Sequence, residues 1–213
     1  MQKIQDHSLY LIISEEYGKG RSALEIARPA IAGGVDIIQL REKNKPKTEL
    51  ARLGAKLCKL CKEIGVIFIL NDDPVLAKDL DADGVHLGQE DIKTYSVKSA
   101  RKILGKDKII GVSTHSLEQF EKANSEETDY IAFGPVFSTK TKDYHIGTGD
   151  IDKVLMVARK PVFFIGGINL SNIDEILNKG AKNIALIRGI LEADDITARV
   201  REFKNRLGKQ KKV

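Results

Sequence analysis

Two aspartates in this chain each follow a short apolar run and have the chemistry of ligands for a divalent cation. Asp72 comes just after the run in FILNDDP, and Asp91 follows the run in VHLGQED. Magnesium takes oxygen ligands, usually one or two carboxylates completed by substrate phosphate and water. Either aspartate could instead cap a following helix by accepting a backbone N–H, and Asp73 could share that role with Asp72.

Basic side chains follow two other apolar runs. Arg41 and Lys43 come after Ile37–Leu40, and Lys142 lies in the polar stretch TKTKDYHIGTG. Arginine binds an oxygen-rich anion in a bidentate fork, whereas lysine acts as a point charge. Lys43 and Lys142 could also be solvated loop residues. Carboxylates and cations brought to one rim would form a magnesium-dependent diphosphate site, which favours metal ligation over helix capping for Asp72 and Asp91.

The elements that must position these residues alternate regularly along the chain. Eight runs rich in Ile, Val, Leu and Phe mostly lack strict alternation, as strands buried on both faces of a parallel sheet do. Segments with helical periodicity separate them, which predicts a single (β/α)8 TIM barrel of class α/β spanning residues 1–213. A doubly wound open sheet is disfavoured, because no GxGxxG follows the first run. The predicted strands are Leu9–Ile13, Ile37–Leu40, Val66–Leu70, Gly84–Leu87, Lys108–Val112, Tyr130–Phe133, Val162–Ile165 and Ile184–Ile187.

Active sites of this fold lie at the carboxyl ends of the strands, so the residues after each run should meet at one mouth. Gly166 and Gly167 follow the seventh run, and the loops after strands seven and eight are the usual phosphate site of the fold. His86 lies inside a predicted strand, and we interpret it as structural. His115 lies near the rim and could be either structural or functional.

Charge and hydropathy limit the partners of the chain. The net charge is +5, but residues 199–213 carry seven basic residues and one acidic residue, so the rest is nearly neutral. We expect this basic tail to be a solvated helix end and not a nucleic-acid site, because aromatic residues do not alternate with its charges and Phe203 is the single one in it. No apolar stretch is long enough for a membrane span, and the first residues lack a secretory signal, which predicts a cytoplasmic location without membrane partners. Cys58 and Cys61 lie within a helical pattern, and Cys61 is expected to pack in the core.

Seven segments in order resemble the thiamine phosphate synthase family: QLREK, ILNDDP, DGVHLGQED, IIGVSTH, YIAFGPVFSTKTK, FIGGI and IALIRGI. The resemblance covers about Leu9 to Ile196. It implies a (β/α)8 enzyme of thiamine biosynthesis that uses Mg²⁺. Such an enzyme joins 4-amino-2-methyl-5-(hydroxymethyl)pyrimidine diphosphate to 4-methyl-5-(2-phosphoethyl)thiazole, or to its carboxylate, and releases diphosphate.

The resemblance also implies roles for individual residues. Asp72 and Asp91 would hold the magnesium ion. Arg41, Lys43, Lys142 and Ser113 would form the catalytic set. The pyrimidine diphosphate would contact Gln39, Leu40, Arg41, Glu42, Lys43, Asn71, Ser113 and Lys142. The thiazole phosphate would contact Thr139, Lys140, Thr141, Gly167, Ile187 and Arg188.

Two features of the sequence keep other functions open. The family usually has a serine where this chain has Arg188, which could add a charge contact or obstruct the thiazole phosphate. A related thiazole tautomerase shares the fold but typically has a catalytic histidine in the segment that here reads Gly134-Pro135-Val136. A non-catalytic barrel that binds thiamine intermediates is a third possibility. The intact set of Asp72, Asp91 and Lys142 favours the synthase, and the oligomeric state is left open.

Overall fold

Eight parallel strands close into one barrel in the computed structural model, which describes residues 4–139 and 143–209. The strands are neighbours in sequence order, and β8 pairs with β1 to complete the ring. This confirms the predicted (β/α)8 fold. The strands are β1 Leu9–Ile13, β2 Ile37–Leu40, β3 Ile67–Asn71, β4 Gly84–Leu87, β5 Ile109–Thr114, β6 Tyr130–Phe133, β7 Val162–Ile165 and β8 Asn183–Leu186.

Helices follow the strands and form the outer layer. Local signals set their ends: Ser22 opens α1 (Ala23–Gly33) with a reciprocal capping box, and Gly65 ends α2 (Lys47–Ile64) in the left-handed conformation. Among the described residues one more helix occurs than the eight expected, because the chain makes a single turn after β8 before its last helix. The helices are α1 Ala23–Gly33, α2 Lys47–Ile64, α3 Pro74–Asp79, α4 Val97–Leu104, α5 Leu117–Ser125, α6 Ile151–Val157, α7 Ile173–Asn178, α8 Arg188–Leu191 and α9 Ile196–Lys209.

Each strand buries both of its faces, which explains the missing alternation in the sequence. One face fills the barrel interior, and the other packs under the helices. Gly111 in β5 makes room inside, because a Cβ there would lie 1.9 Å from the Tyr130 ring. The interior cluster consists of Tyr10, Ile12, Ile37, Ile67, Ile69, Ile109, Tyr130, Phe163 and Ala185.

The amino-terminal rim of the barrel is held by a repeated side-chain contact, which we call the Asx clamp. In each clamp, an Asp or Asn at the start of an even-numbered strand accepts a backbone N–H at the start of a neighbouring odd-numbered strand. The four clamps join Asp36 to Leu9, Asp83 to Phe68, Asp129 to Ile110 and Asn183 to Ser8, with N···O distances of 2.7–2.9 Å. They satisfy buried backbone donors that the short strands leave unpaired.

Helix α9 contains most of the predicted basic tail and packs against α1. Gly33 allows this close approach, because a Cβ there would lie 2.6 Å from Cβ of Val200. Basic residues of the helix form ion pairs: Lys204 with Asp36 at 2.6 Å, and Arg206 with Asp174. Within the described ranges, no helix is long and apolar enough to cross a membrane.

Candidate active site

A cavity of about 860 Å³ opens at the carboxyl ends of the strands. Eleven of the predicted site residues line it, although they come from the carboxyl ends of seven different strands. This convergence follows from the closed ring of parallel strands, which turns every carboxyl end to the same mouth. The eleven are Gln39, Arg41, Lys43, Asn71, Asp72, Asp91, Ser113, Thr139, Gly167, Ile187 and Arg188.

The structure places the side chains of two predicted site residues away from this cavity. Leu40 is fully buried in the outer layer under the helices, because its neighbour Gln39 faces the interior and side chains alternate along a strand. The Glu42 carboxylate turns to the loop after β1 and accepts the backbone N–H of Glu15 at 2.6 Å. Lys140, Thr141 and Lys142 lie outside the described residues.

Asp72 and Asp91 meet in the cavity. The helix cap that competed in the sequence is made by Asp73, whose carboxylate accepts the Leu76 backbone N–H at 2.8 Å. Asp72 adopts a φ of 67°, a left-handed conformation that Asp tolerates, and its backbone N–H donates to the carbonyl of His86 at 2.8 Å. The carboxyl groups of Asp72 and Asp91 are hydrogen-bonded to each other.

The electrostatics of this pair suit a cation. Burial, followed by the hydrogen bond and the charge of Asp91, raises the pKa of Asp72 to about 7, although Lys43 and Arg41 act in the opposite direction. Two adjacent carboxylates in a buried place gain from a divalent ion that neutralises them both. No group of three or more acidic, His or Cys ligands occurs in the part of the chain described. The pair therefore fits Mg²⁺, which takes few protein carboxylates and leaves its other positions to phosphate oxygens and water.

The loops after β7 and β8 form the other side of the mouth. Gly167 has a φ of 66°, and a Cβ there would lie 2.3 Å from the carbonyl oxygen of Ser138 in the loop after β6, so only glycine fits where these two loops meet. Arg188 lines the cavity with its guanidinium held in place, because Nε donates to Glu192 at 2.6 Å and Cζ lies 5.2 Å from the Tyr17 ring centroid. The ordered guanidinium of Arg188 and the backbone at Gly167, which no side chain covers, together suit the binding of an anionic group.

A chain of buried hydrogen bonds crosses the barrel beneath the cavity. Gln39 Nε2 donates to the Tyr10 hydroxyl at 2.9 Å, which lies 2.9 Å from the Tyr130 hydroxyl. The Tyr130 hydroxyl lies 2.8 Å from Nδ1 of His86, whose Nε2 lies 2.8 Å from Oγ of Ser113. Burial lowers the pKa of His86 to about 4, with the charge of Arg41 acting in the same direction, so this imidazole is neutral near pH 7.

His86 is therefore more than the structural residue that the sequence suggested, since it also lines the cavity and contacts Ser113. Tyr10 and Tyr130 were missed as site residues because they stand in fully buried strands and look like core positions. His115 also lines the cavity, with Nδ1 2.5 Å from the carbonyl oxygen of Gly134 and its ring edge-on to Tyr144.

The closed barrel and its charged cavity define a (β/α)8 enzyme whose mouth is suited to anionic small molecules. A family model described as thiamine monophosphate synthase matches residues 9–190. The chain is 39% identical to the thiamine-phosphate synthase of Persephonella marina, covering 94% of this chain and 95% of the relative. It is 41% identical to that of Halalkalibacterium halodurans, covering 91% and 92%.

A solved structure of similar shape is the thiamine phosphate pyrophosphorylase from Pyrococcus furiosus, with a TM-score of 0.86 and 33% identity over 95% of this chain and 96% of that one. The chain belongs to the thiamine monophosphate synthase family. It is a transferase of thiamine biosynthesis that acts on small-molecule substrates, as the sequence resemblance predicted.

Proposed function

We propose that this barrel joins 4-amino-2-methyl-5-(hydroxymethyl)pyrimidine diphosphate to 4-methyl-5-(2-phosphoethyl)thiazole, or to its carboxylate, and releases diphosphate. The observation that carries the proposal is the contact between the Asp72 and Asp91 carboxyl groups in a cavity that also contains Arg41 and Lys43. Opposite charges at one mouth serve a reaction in which a diphosphate leaves.

The diphosphate is bound by the cations of the loop after β2 and by the magnesium ion assigned to Asp72 and Asp91. Arg41 lies at the end of its strand, where its backbone N–H donates to the carbonyl of Ile13 at 2.9 Å, and its guanidinium is available for a bidentate contact with phosphate oxygens. Lys43 adds a point charge, and we assign a further one to Lys142. Asp72 and Asp91 would hold Mg²⁺, which when bound would supply positive charge opposite the departing diphosphate.

The protein residues then act by placement and electrostatic stabilisation. The bond from the pyrimidine methylene to the diphosphate oxygen breaks, and Arg41 and Lys43 stabilise the leaving anion. The ring's amino group stabilises the methylene cation, and the thiazole nitrogen donates its electron pair to form the new bond. Gln39, Asn71 and Ser113 orient the pyrimidine, so this route needs no protein nucleophile.

The thiazole phosphate binds on the opposite side of the mouth. Gly167 gives the phosphate close access to the backbone, and Arg188 supplies a positive charge at the start of α8. Thr139 and Ile187 line the same side, and we assign Lys140 and Thr141 to this subsite as well. Facing subsites would bring the thiazole nitrogen to the pyrimidine methylene.

The experiment is a diphosphate-release assay with both substrates, with and without Mg²⁺. We expect release that depends on both substrates and stops in EDTA. Asp72→Ala and Asp91→Ala should each reduce turnover by about 100-fold or more, the scale seen when one stabilising group of a site is removed. Wild-type rates in both variants would exclude Asp72 and Asp91 as the ligands of a catalytic magnesium ion.

Asp73→Ala is the matched control, because it removes a neighbouring carboxylate that caps α3 and pairs with Lys47 at 2.8 Å outside the cavity. We expect it to lose stability and keep turnover. A wild-type protein that consumes neither substrate would overturn the proposed reaction itself.

The remaining assignments concern the setting of the enzyme. We propose a cytoplasmic location, a single domain over residues 1–213, and no nucleic-acid partners. The ion pairs of α9 support the last point, since they neutralise part of the basic tail within the molecule.

A further inference from the structure

The buried hydrogen bonds that run from Gln39 through Tyr10, Tyr130 and His86 to Ser113 have a defined direction. It follows from which atom of each pair can donate and which can accept. Tyr10 receives a hydrogen bond from Gln39 Nε2, so its own proton has one hydroxyl to go to, that of Tyr130 at 2.9 Å. Tyr130 in turn must donate to the remaining neighbour, Nδ1 of His86 at 2.8 Å. A hydroxyl has a single proton, so each step fixes the next.

The same constraint fixes the imidazole and the last hydroxyl. Because Nδ1 of His86 accepts from Tyr130, the imidazole carries its proton on Nε2, which therefore donates to Oγ of Ser113 at 2.8 Å. The hydroxyl of Ser113 accepts that hydrogen bond, so its own proton can be donated to a ligand in the cavity. At the other end of the chain, Oε1 of Gln39 has no hydrogen-bond partner among the described residues, although this side chain is 1% exposed and lines the cavity.

We propose that Tyr10, Tyr130 and His86 are positioning residues that polarise this chain, so that Gln39 always presents a carbonyl oxygen and Ser113 always presents a hydroxyl proton to the substrate. The packing keeps both tyrosine rings in place, because Phe163 contacts each edge-on at centroid distances of 5.3 and 5.4 Å. Reversing the chain would require turning the Gln39 amide over, and it would exchange donors for acceptors at both ends together.

The consequence for substrate choice rests on the proposed function. A 4-aminopyrimidine edge presents an N–H donor beside a ring nitrogen acceptor. Gln39 is complementary to it, with Oε1 as acceptor and its second N–H as donor. A 4-oxopyrimidine would set its carbonyl oxygen against Oε1 of Gln39, and an unpaired buried polar group is destabilising. The polarised chain thus selects the amino ring over the oxo ring.

The first test needs no substrate. Two-bond ¹H–¹⁵N correlation spectra of histidine-labelled wild-type protein should show His86 as the Nε2–H tautomer, with the signal assigned by its loss in His86→Asn. An Nδ1–H tautomer would mean the opposite polarity and would overturn the proposal, whatever the protein catalyses. In Tyr130→Phe, which deletes the donor to Nδ1, we expect the Nδ1 chemical shift to move.

The second test is selectivity. Tyr130→Phe and Tyr10→Phe should each lower the preference in kcat/KM for the amino pyrimidine diphosphate over its 4-oxo analogue by about tenfold, the effect of one hydrogen bond. The KM for the thiazole phosphate should stay unchanged. Tyr95→Phe is the matched control, since that ring packs on the outer core and should keep the full preference.

Tyr130→Phe and Tyr10→Phe interrupt the hydrogen-bond chain at different points. If only one of them folds, that variant alone still tests the proposal. A preference within twofold of wild type in a folded variant would overturn the proposal. Wild-type protein without synthase turnover would refute the proposed function, and the tautomer measurement would still test the polarity independently.

Discussion

At the scale of single residues, the two aspartates differ from other acidic residues of the chain by their surroundings. Asp81, for example, is exposed and pairs with Lys62 and Lys108, which lower its pKa to about 2. Asp72 is half-buried beside Asp91, and its pKa rises to about 7. A carboxyl group with this pKa binds a proton in competition with a metal ion near neutral pH.

Metal binding should therefore weaken as the pH falls below about 7. Because Asp72 must lose its proton to become a ligand, we expect the dissociation constant for Mn²⁺, a spectroscopic substitute for Mg²⁺, to rise about tenfold per pH unit there. EPR of free Mn²⁺ between pH 5.5 and pH 8 measures it. Asp72→Asn should remove the dependence, and a constant affinity in the wild type would contradict the role of Asp72.

The same raised pKa also makes the folding stability depend on pH. The folded state holds the Asp72 proton more tightly than the unfolded chain, so its contribution to stability is present at low pH. It is lost as the pH rises through about 7 in metal-free protein. Added Mg²⁺ should restore stability on the alkaline side, because it binds the ionised pair of the folded state alone.

Arg188 lies where the sequence resemblance leads us to expect a serine. Its guanidinium is held by Glu192 and lies against Tyr17, so it is ordered before any ligand binds. We expect Arg188→Ser to raise the KM for the thiazole phosphate about tenfold with little change in the KM for the pyrimidine diphosphate, because one charge-assisted hydrogen bond is lost. Steady-state kinetics with each substrate varied in turn measures both. A lower KM in the variant would show that the arginine obstructs the subsite.

The sequence predicted most of the mouth because its residues directly follow apolar runs, as Arg41 and Asp72 do. It assigned Leu40 and Glu42 to the same site, yet alternation along the chain turns neighbouring side chains in opposite directions. It could not reveal Tyr10 and Tyr130 as polar participants, because strands buried on both faces hide which face is which. That information comes from the closure of the barrel.

At the scale of elements, strand bounds agree closely with the sequence except where pairing extends a strand. β5 runs to Thr114 and not to Val112, since it pairs with β6 up to Phe133. Ser113 is therefore a strand residue with a fixed direction, which is why it can meet His86. The Asx clamps also lie at this scale, because each joins two strands through one side chain.

Removing one clamp should reduce stability without affecting the mouth. Asp83→Ala leaves the half-buried N–H of Phe68 without a partner, and we expect a loss of about 1–3 kcal/mol in the free energy of unfolding. Asp83→Asn is the matched control, since an asparagine makes the same contact naturally at Asn183. Urea unfolding with turnover measured in parallel checks both variants. Equal losses in the two would show that charge, not the acceptor oxygen, matters.

At the scale of the whole molecule, part of the net charge of +5 is taken up by ion pairs within the described residues. Three basic residues of α9 form ion pairs: Arg199 with Glu202, Lys204 with Asp36 and Arg206 with Asp174. The pairs with Asp36 and Asp174 join the last helix to the rest of the barrel.

Binding to RNA should therefore be weak. We expect fluorescence anisotropy with a labelled 20-mer RNA at physiological salt to show no dissociation constant tighter than about 1 μM, the range of non-specific contacts. Inorganic diphosphate with Mg²⁺ serves as the positive control for binding at the mouth. A nanomolar complex with RNA would contradict the assignment of the tail as a solvated helix end.

The Asx clamps place contacts that stabilise the fold at one end of the barrel, away from the residues of the candidate active site. They fasten the strands at the end of the barrel that never touches a substrate, while the reactive residues stand at the other. Such a division should let side chains at the mouth be exchanged without destabilising the strands at the opposite end of the barrel. A library randomised around the cavity and left untouched at Asp36, Asp83, Asp129 and Asn183 should consequently stay rich in folded members.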